Sequence, residues 1–278
     1  MKLYYYKENR NFGDLLSRAL LSKLLGEDVF YANVENCEVV AIGSLLDTFL
    51  VSKGKILKRF KGFIKPRVKV WGTGFISEAS IANRYLKRRC EIFALRGMIS
   101  LDRLSMLRGD CYIHNDVVLG DPGLLSSCLL NNKDIEKRYS LGIIPHYIDK
   151  TAECLNVIKN PDYKVIDICQ DPIAFLEDIS SCQMIVSSAM HGLIAADSLG
   201  IPNLRIRLSS NVVGGDYKFK DYYSALGIRN PYYINVENDF DWNCVTSIVM
   251  DNYCVDEKVV SSIKHQLLRS LYKLNKDK

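Results

Sequence analysis

Residues 184–202 read MIVSSAMHGLIAADSLGIP, and this stretch decides the fold. Its apolar start predicts a buried strand, Ser187 and Ser188 end that strand, and a helix runs from His191 until Gly200 stops it. Backbone amides at the start of a helix have no partner inside it, so together with the two hydroxyls they favour an anion. A histidine in the first turn can bond a phosphate or transfer a proton. The stretch therefore predicts a strand–turn–helix unit with an anion site.

Short apolar runs alternate with amphipathic segments in both directions from this stretch. The pattern predicts strands at Lys2–Tyr6, Val29–Ala32, Val39–Gly43, Val68–Gly72, Ile92–Leu95, Cys111–Val118, Leu141–Pro145, Lys164–Cys169, Met184–Ser187, Asn203–Arg207 and Tyr232–Val236. It predicts helices at Leu15–Leu25, Met98–Leu107, Thr151–Lys159, Pro172–Cys182, Gly192–Leu199, Asp221–Leu226 and Asp256–Leu274. Such alternation is typical of parallel sheets with helices on both faces, which bind ligands beyond the carboxyl ends of their strands. We expect an α/β fold with two Rossmann-like domains facing a central cleft, residues 1–130 and 131–278, joined at the polar stretch Asn131–Asp134.

Composition excludes several classes of protein. Of the 278 residues, 48% are hydrophobic and 25% are charged, which leaves ample apolar surface to offset chain entropy and excludes disorder. No run approaches the roughly 18 uninterrupted apolar residues of a membrane-spanning helix. The first residues become polar too early for a secretory signal. The nine cysteines have an odd count and no CxxC pair, so we expect reduced thiols, no metal site and a cytoplasmic location.

The positive charge of the chain is concentrated in one segment. Lys53–Lys69 contains eight basic residues and no acidic one, which leaves 29 basic against 32 acidic residues elsewhere. A chain-wide nucleic-acid surface is therefore not expected. Because Phe60 and Phe63 lie among the cations, the segment is typical of a peripheral contact with anionic lipid. A solvated helix face followed by a loop is the alternative interpretation.

The stretch from Asn11 to Asp14 joins the first strand to the first helix. Gly13 permits a tight turn and a close approach of the backbone to a ligand. Asp14 is placed either to act in the site or simply to cap the helix. No GxGxxG and no GxxxxGK[ST] pattern occurs in the chain, so dinucleotide and P-loop sites lack their signature.

Two further strand ends carry residues suited to chemistry. Arg96 stands before a glycine and a new helix, where its fork can hold a carboxylate or phosphate, or can pair with a neighbouring acid. His146 follows a buried strand, where it either faces the cleft or is structural. Near residue 121, the sequence Asp-Pro-Gly predicts a turn. The glycine-rich stretch Gly214–Tyr223 suits a mobile loop whose lysines, Lys218 and Lys220, close over an anionic ligand.

The order of these motifs resembles the polysaccharide pyruvyl transferase family. The motifs are N-x-G-D, R-G-x-x-S, G-D-P, I-P-H and S-S-x-x-H-G-L-I-x-A-D-x-x-G-I-P, and they extend from Asn11 to Lys220. The resemblance implies a GT-B-like pair of Rossmann domains and transfer of a pyruvyl group from phosphoenolpyruvate to a sugar hydroxyl pair, giving a ketal. It implies a sugar or lipid-linked oligosaccharide acceptor, a role at the cytoplasmic face of the membrane during surface polysaccharide synthesis, and no cofactor.

The resemblance also assigns expected roles to residues of this chain. It implies donor binding by Arg96, Ser187, Ser188 and His191, while Asn11, Gly13, Asp14 and His146 line the cleft. This chemistry needs a proton donor and a base, and we expect His191 or His146 as the acid and Asp14 as the base.

One position departs from the family pattern. Many members have an arginine where this chain has Ala189, and the missing cation can come from Arg205, Arg207, Lys218 or Lys220. Two alternatives therefore stay open: a GT-B glycosyltransferase that uses a nucleotide-sugar, and a non-catalytic subunit that binds or assembles glycans.

Overall fold

The computed structural model describes residues 1–7, 11–52, 62, 64–79, 81–82, 84–107, 111–131 and 134–276. Its first sheet has six parallel strands in the order β2-β1-β3-β5-β7-β8. These strands are β1 (Lys2–Tyr4), β2 (Phe30–Tyr31), β3 (Val39–Val40), β5 (Val68–Trp71), β7 (Cys90–Leu95) and β8 (Cys111–Leu119). A short antiparallel pair, β4 (Leu50–Ser52) with β6 (Arg84–Leu86), lies outside this sheet and was not predicted.

The second sheet has five parallel strands in the order β10-β9-β11-β12-β13. They are β9 (Tyr139–Ile144), β10 (Tyr163–Val165), β11 (Cys182–Ser187), β12 (Asn203–Arg207) and β13 (Tyr233–Asn235). The eleven strands of the two sheets all fall within or next to the predicted runs. The α/β class and the parallel sheets are thus confirmed, whereas the division into two domains around a cleft stays a prediction.

Seven α-helices lie among the described residues. They are α1 (Phe12–Leu25), α2 (Met98–Ser105), α3 (Pro172–Ser180), α4 (Met190–Ser198), α5 (Tyr217–Ala225), α6 (Val245–Asn252) and α7 (Glu257–Lys276). The helix predicted at Thr151–Lys159 is wrong, because the chain there forms only a 3₁₀ turn at Glu153–Leu155. The turn predicted near residue 121 is confirmed: Asp121 caps a 3₁₀ helix, Pro122–Leu130, by accepting a bond from Gly123 N–H.

Contacts between the halves of the chain are extensive. Phe12 of α1 packs against Phe175 of α3 with ring centroids 4.4 Å apart, inside a hydrophobic core shared by residues of both sheets. The C-terminal helix α7 returns to the first sheet, where Ser270 Oγ accepts a 3.0 Å bond from Trp71 Nε1. Residues of both sheets therefore pack into one hydrophobic core.

Candidate functional site

A cavity of about 300 Å³ lies where strand ends of both sheets meet, and we name it the central cavity. Elements from each sheet contribute to its wall, as expected for parallel α/β folds, whose ligands bind beyond the strand carboxyl ends. Its lining residues are Tyr6, Asn11, Asp14, Gly43, Ser44, Ile76, His146, Tyr147, Ile168, Ala189, Met190, His191, Val213 and Lys218. Five of the site residues predicted from sequence are thereby brought to one place.

Asn11 and Asp14 form a local pair at the start of α1. Asn11 caps the helix, because its side-chain oxygen accepts a 3.2 Å bond from Asp14 N–H. Of the two roles that the sequence left open for Asp14, helix capping is therefore wrong. Its carboxylate instead accepts a 2.6 Å bond from Asn11 Nδ2. Burial raises the pKa of Asp14 to about 7, against the opposing effect of that bond. A carboxyl with this pKa exchanges protons readily at neutral pH.

Gly13 and His191 are in direct contact across the two sheets. A Cβ atom at position 13 would lie 2.1 Å from His191 Nδ1, so only glycine allows the imidazole this position. His191 Nε2 is buried and finds no partner among the described residues. Burial, assisted by the positive charges of Lys218 and Arg96, lowers the pKa of His191 to about 3. The ring is therefore neutral at pH 7 and leaves one buried nitrogen unsatisfied.

His146 is held by the turn that follows β9. Its backbone N–H donates a 2.8 Å bond to Ser188 Oγ, and its Nδ1 accepts a 3.3 Å bond from the N–H of Ile148. This pattern assigns the proton of the neutral ring to Nε2. Burial and Lys218 lower the pKa of His146 to about 4. Both imidazoles are therefore neutral at pH 7.

The hydroxyls of Ser187 and Ser188 stabilise the turn between β11 and α4. Ser187 Oγ accepts from Ala189 N–H at 3.0 Å and lies 3.0 Å from the carbonyl oxygen of Ile144. Ser188 Oγ donates to Asp149 Oδ2 at 2.8 Å. Both hydroxyls are thus occupied, and the geometry favours positioning over direct contact with an anion. No side-chain hydrogen bond caps α4. Of the amides in its first turn, that of Gly192 donates to the carbonyl oxygen of Ala189 at 3.0 Å, so it is the amides before it that can meet an anion.

Arg96 is fully buried and makes the ion pair that the sequence left open as an alternative. Its Nε donates to Asp221 Oδ2 at 2.8 Å, and its Nη1 donates to Ser44 Oγ at 2.6 Å. Arg96 is not in the wall of the central cavity. It bonds to Ser44, which does line the central cavity. It also anchors α5, because Asp221 lies on that helix. The structure thus shows the pairing of Arg96 with a neighbouring acid, and it shows no direct contact of Arg96 with the central cavity.

Lys218 and Lys220 lie on α5, which begins at Tyr217. The interpretation of Gly214–Tyr223 as one mobile loop is wrong, since its last seven residues are helical. Lys218 is only 9% exposed, and burial together with Arg96 lowers its pKa to about 8. It is the single cation among the described residues of the central cavity. Lys220 is exposed and does not line the central cavity.

A second cavity, of about 220 Å³, adjoins the first, and we name it the arginine cavity. Arg205 and Arg207 both donate to Asp216 Oδ1, at 2.7 and 2.5 Å. Asp149 closes another side, where it accepts from Ser188 and from Ser209 Oγ. Ser44, Asp149 and Asp216 were not predicted as site residues from the sequence. Ser44 follows a predicted strand and was open to the strand-end argument, whereas the two carboxylates are identified only by their partners.

Proteins already known share this arrangement of sequence motifs. The family model for polysaccharide pyruvyl transferase matches residues 7–210, which is more than half of the chain. The chain therefore belongs to the polysaccharide pyruvyl transferase family, and the resemblance stated from its motifs is confirmed. Membership supports a transferase of polysaccharide biosynthesis.

Individual relatives extend over most of the chain. An uncharacterized protein of Acanthamoeba polyphaga mimivirus is 28% identical over 275 residues, covering 96% of this chain and 89% of that protein. The succinoglycan biosynthesis protein ExoV of Rhizobium meliloti is 22% identical over 230 residues, covering 82% of this chain and 66% of ExoV. A solved structure of a functionally uncharacterized Klebsiella pneumoniae protein is 13% identical, with a TM-score of 0.41 over 85% of this chain and 92% of that one.

Two predictions fall largely outside the described residues. Most of the basic segment, including Phe60 and Phe63, is not described, nor are residues 132–133 of the expected linker. Within the part of the chain that is described, no helix is both long and apolar enough to cross a membrane. Among the described residues, none of the nine cysteines forms a disulfide.

Proposed function

We propose that the protein transfers the pyruvyl group of phosphoenolpyruvate to two hydroxyls of a saccharide and forms a cyclic ketal. The observation that carries this proposal is the content of the central cavity. An uncapped helix start, a buried lysine, two neutral imidazoles and a carboxyl with a pKa of about 7 surround one space. Phosphoenolpyruvate carries two anionic groups and needs one proton at carbon, and these groups provide for both.

The first turn of α4 and Lys218 would bind the phosphate. Backbone amides and the helix dipole favour an anion there, and the buried ammonium adds a full charge in a site of low dielectric. The second anionic group, the carboxylate, would meet Ser44. Because Ser44 Oγ accepts from Arg96, its own O–H proton remains free to donate, so Arg96 acts on the donor through Ser44. Arg96 is thus a positioning residue.

Binding of the donor would itself prepare the acid. The low pKa of His191 and of His146 comes from burial and from Lys218. A bound phosphate reverses the second effect, because a nearby anion favours the charged imidazolium. A charged His191 or His146 can then protonate the methylene carbon, and the neighbouring carbon gains oxocarbenium character.

Two hydroxyl additions complete the reaction. Asp14 accepts the proton of the first sugar hydroxyl as its oxygen bonds to the electron-poor carbon. The bond from that carbon to the phosphate oxygen then breaks and phosphate leaves with the electron pair. The second hydroxyl closes the ring and gives its proton to the histidine that protonated the methylene carbon. The products are one ketal and one phosphate, and the cations of the site stabilise the leaving anion.

The test compares donors. Purified protein is incubated with a panel of saccharides and either phosphoenolpyruvate or nucleotide-sugars, and released phosphate and nucleoside diphosphate are measured. Saccharide-dependent phosphate release from phosphoenolpyruvate is expected. Nucleoside diphosphate release alone would identify a glycosyltransferase. Saccharide binding without turnover of either donor would identify a non-catalytic subunit, which the alanine at position 189 would then explain.

A further inference from the structure

The two arginines of the arginine cavity are held in place by contacts that binding of phosphoenolpyruvate in the central cavity does not explain. The guanidinium carbon of Arg205 lies 3.8 Å from the ring centroid of Phe219, and that of Arg207 lies 4.5 Å from the centroid of Tyr233. Both guanidiniums also bond to the same oxygen of Asp216. Stacking and pairing together fix the two arginines in place.

Fixed charges in this cavity cancel. Two cations, Arg205 and Arg207, face two carboxylates, Asp149 and Asp216. A phosphate or carboxylate entering here would meet both carboxylates and would have to displace Asp216 from the arginines. Like charges brought together without water repel strongly. The cavity is therefore a poor site for an anion, in contrast to the central cavity with its lysine and uncapped helix.

Donors and acceptors are nevertheless plentiful. The Nε atom of Arg205 is buried and has no partner among the described residues, and the side chain is only 7% exposed. Asp216 uses Oδ1 for both arginines, which leaves Oδ2 to accept a bond. Ser209 and Ser210 add hydroxyls to the wall. A neutral ligand with many hydroxyls satisfies such a mixture, because each hydroxyl both donates and accepts.

The two cavities are contiguous along the chain. Ser188 is in the wall of the arginine cavity and Ala189 in that of the central cavity, and the same division separates Lys218 from Phe219. A ligand in one cavity therefore lies next to a ligand in the other.

We propose that the arginine cavity binds the saccharide acceptor, as an uncharged hexopyranose ring held by Asp216 and Arg207. The role of this saccharide as an acceptor rests on the proposed function, whereas the presence of a saccharide site does not. A hexopyranoside with free 4- and 6-hydroxyls presents a hydroxyl pair able to close a ketal ring. Bound in the arginine cavity, such a ring would offer this pair to a donor in the central cavity.

The experiment measures saccharide and donor binding separately. The probes are the methyl pyranosides of glucose, galactose and mannose, followed by saturation-transfer NMR, and phosphoenolpyruvate, followed by calorimetry. Wild-type protein is compared with Asp216→Asn and Arg207→Gln. Arg207→Gln keeps the Arg205–Asp216 pair intact, so this variant still tests the saccharide site if Asp216→Asn fails to fold. The matched control is Asp251→Asn, on the exposed face of α6.

We expect at least one glycoside to bind the wild type and the control. We expect its affinity to fall at least fivefold in the cavity variants, with phosphoenolpyruvate affinity within twofold of wild type. Three outcomes would overturn the inference: no glycoside binding by the wild type, glycoside affinity unchanged in the variants, or a fivefold loss of phosphoenolpyruvate affinity in Arg207→Gln. If the wild type binds glycoside but not phosphoenolpyruvate, and Arg207→Gln loses the glycoside, the proposed function fails while the saccharide site stands.

Discussion

Replacing Asp14 with asparagine should make the protein more stable and less active. The folded environment raises the pKa of this carboxyl from 3.8 to about 7, chiefly by burial. The folded protein therefore binds the proton more tightly than the unfolded chain does, and keeping Asp14 ionised above pH 7 costs stability. Asparagine carries no charge, and its side-chain oxygen can still accept the bond from Asn11 Nδ2. The substitution thus removes the cost and keeps the contact.

The magnitude follows from the two pKa values. The difference between 3.8 and about 7 sets an upper bound of about 4 kcal/mol on the cost. Because the side chain is partly exposed and also interacts favourably with the start of α1, we expect a gain of roughly 1–2 kcal/mol in the free energy of unfolding. The gain should be complete at pH 8, should shrink as pH falls through 7, and should vanish near pH 4, where Asp14 is protonated in the folded state.

The assay is chemical denaturation of wild type and Asp14→Asn at pH 4, 6 and 8, with Asp251→Asn as the control for loss of an exposed carboxylate. Turnover at pH 8 should fall at least tenfold in Asp14→Asn, because the base for the sugar hydroxyl is lost. The claim that burial raises the pKa of Asp14 would be refuted if the variant were less stable than wild type at pH 8. It would also be refuted if the free energy of unfolding changed equally at pH 4 and pH 8. Retained turnover would refute its role as the base.

Three further predictions concern neighbouring features. Gly13→Ala should displace the His191 imidazole, costing about 1–3 kcal/mol in the free energy of unfolding and at least tenfold in turnover; denaturation and kinetics check this, and unchanged turnover would show that the position of His191 does not matter. Arg96→Lys should destabilise by about 3–5 kcal/mol and weaken phosphoenolpyruvate binding, since lysine cannot bond Asp221 and Ser44 together; equal donor affinity by calorimetry would argue against the indirect role. The protein should co-sediment with anionic but not neutral vesicles, with release by salt, because each cation near such a surface contributes about 1 kcal/mol. Vesicle binding that does not depend on salt would favour the alternative interpretation of the basic segment as a solvated face. So would binding that persists after four residues are changed to glutamate, namely Lys58, Arg59, Lys61 and Lys65.

Much of the architecture was readable because parallel strands are continuous apolar runs. The strands of both sheets were predicted within a few residues of their positions. The strand-end argument predicted a shared site for Asn11, Asp14, His146 and His191, and all four line the central cavity. These residues converge because all parallel strands of a sheet end at the same edge.

What the sequence could not reveal depends on partners far away along the chain. Arg96 and Asp221 are separated by 125 positions, so no local pattern distinguishes a free guanidinium from a paired one. Lys218 was assigned to a loop because Gly214 and Gly215 precede it, yet the aromatic residues that follow pack inward and continue as a helix. The opposite error was made at Thr151–Lys159, where a helix was predicted and tertiary packing leaves only one 3₁₀ turn.

The central claim is most directly tested by the product itself. Protein is incubated with phosphoenolpyruvate and the three methyl hexopyranosides, and the mixture is analysed by mass spectrometry together with a phosphate assay. We expect a saccharide heavier by one pyruvyl ketal, formed in equal amount to released phosphate and only when both substrates are present. Saccharide that binds but never gains the ketal, with phosphoenolpyruvate left intact, would contradict it.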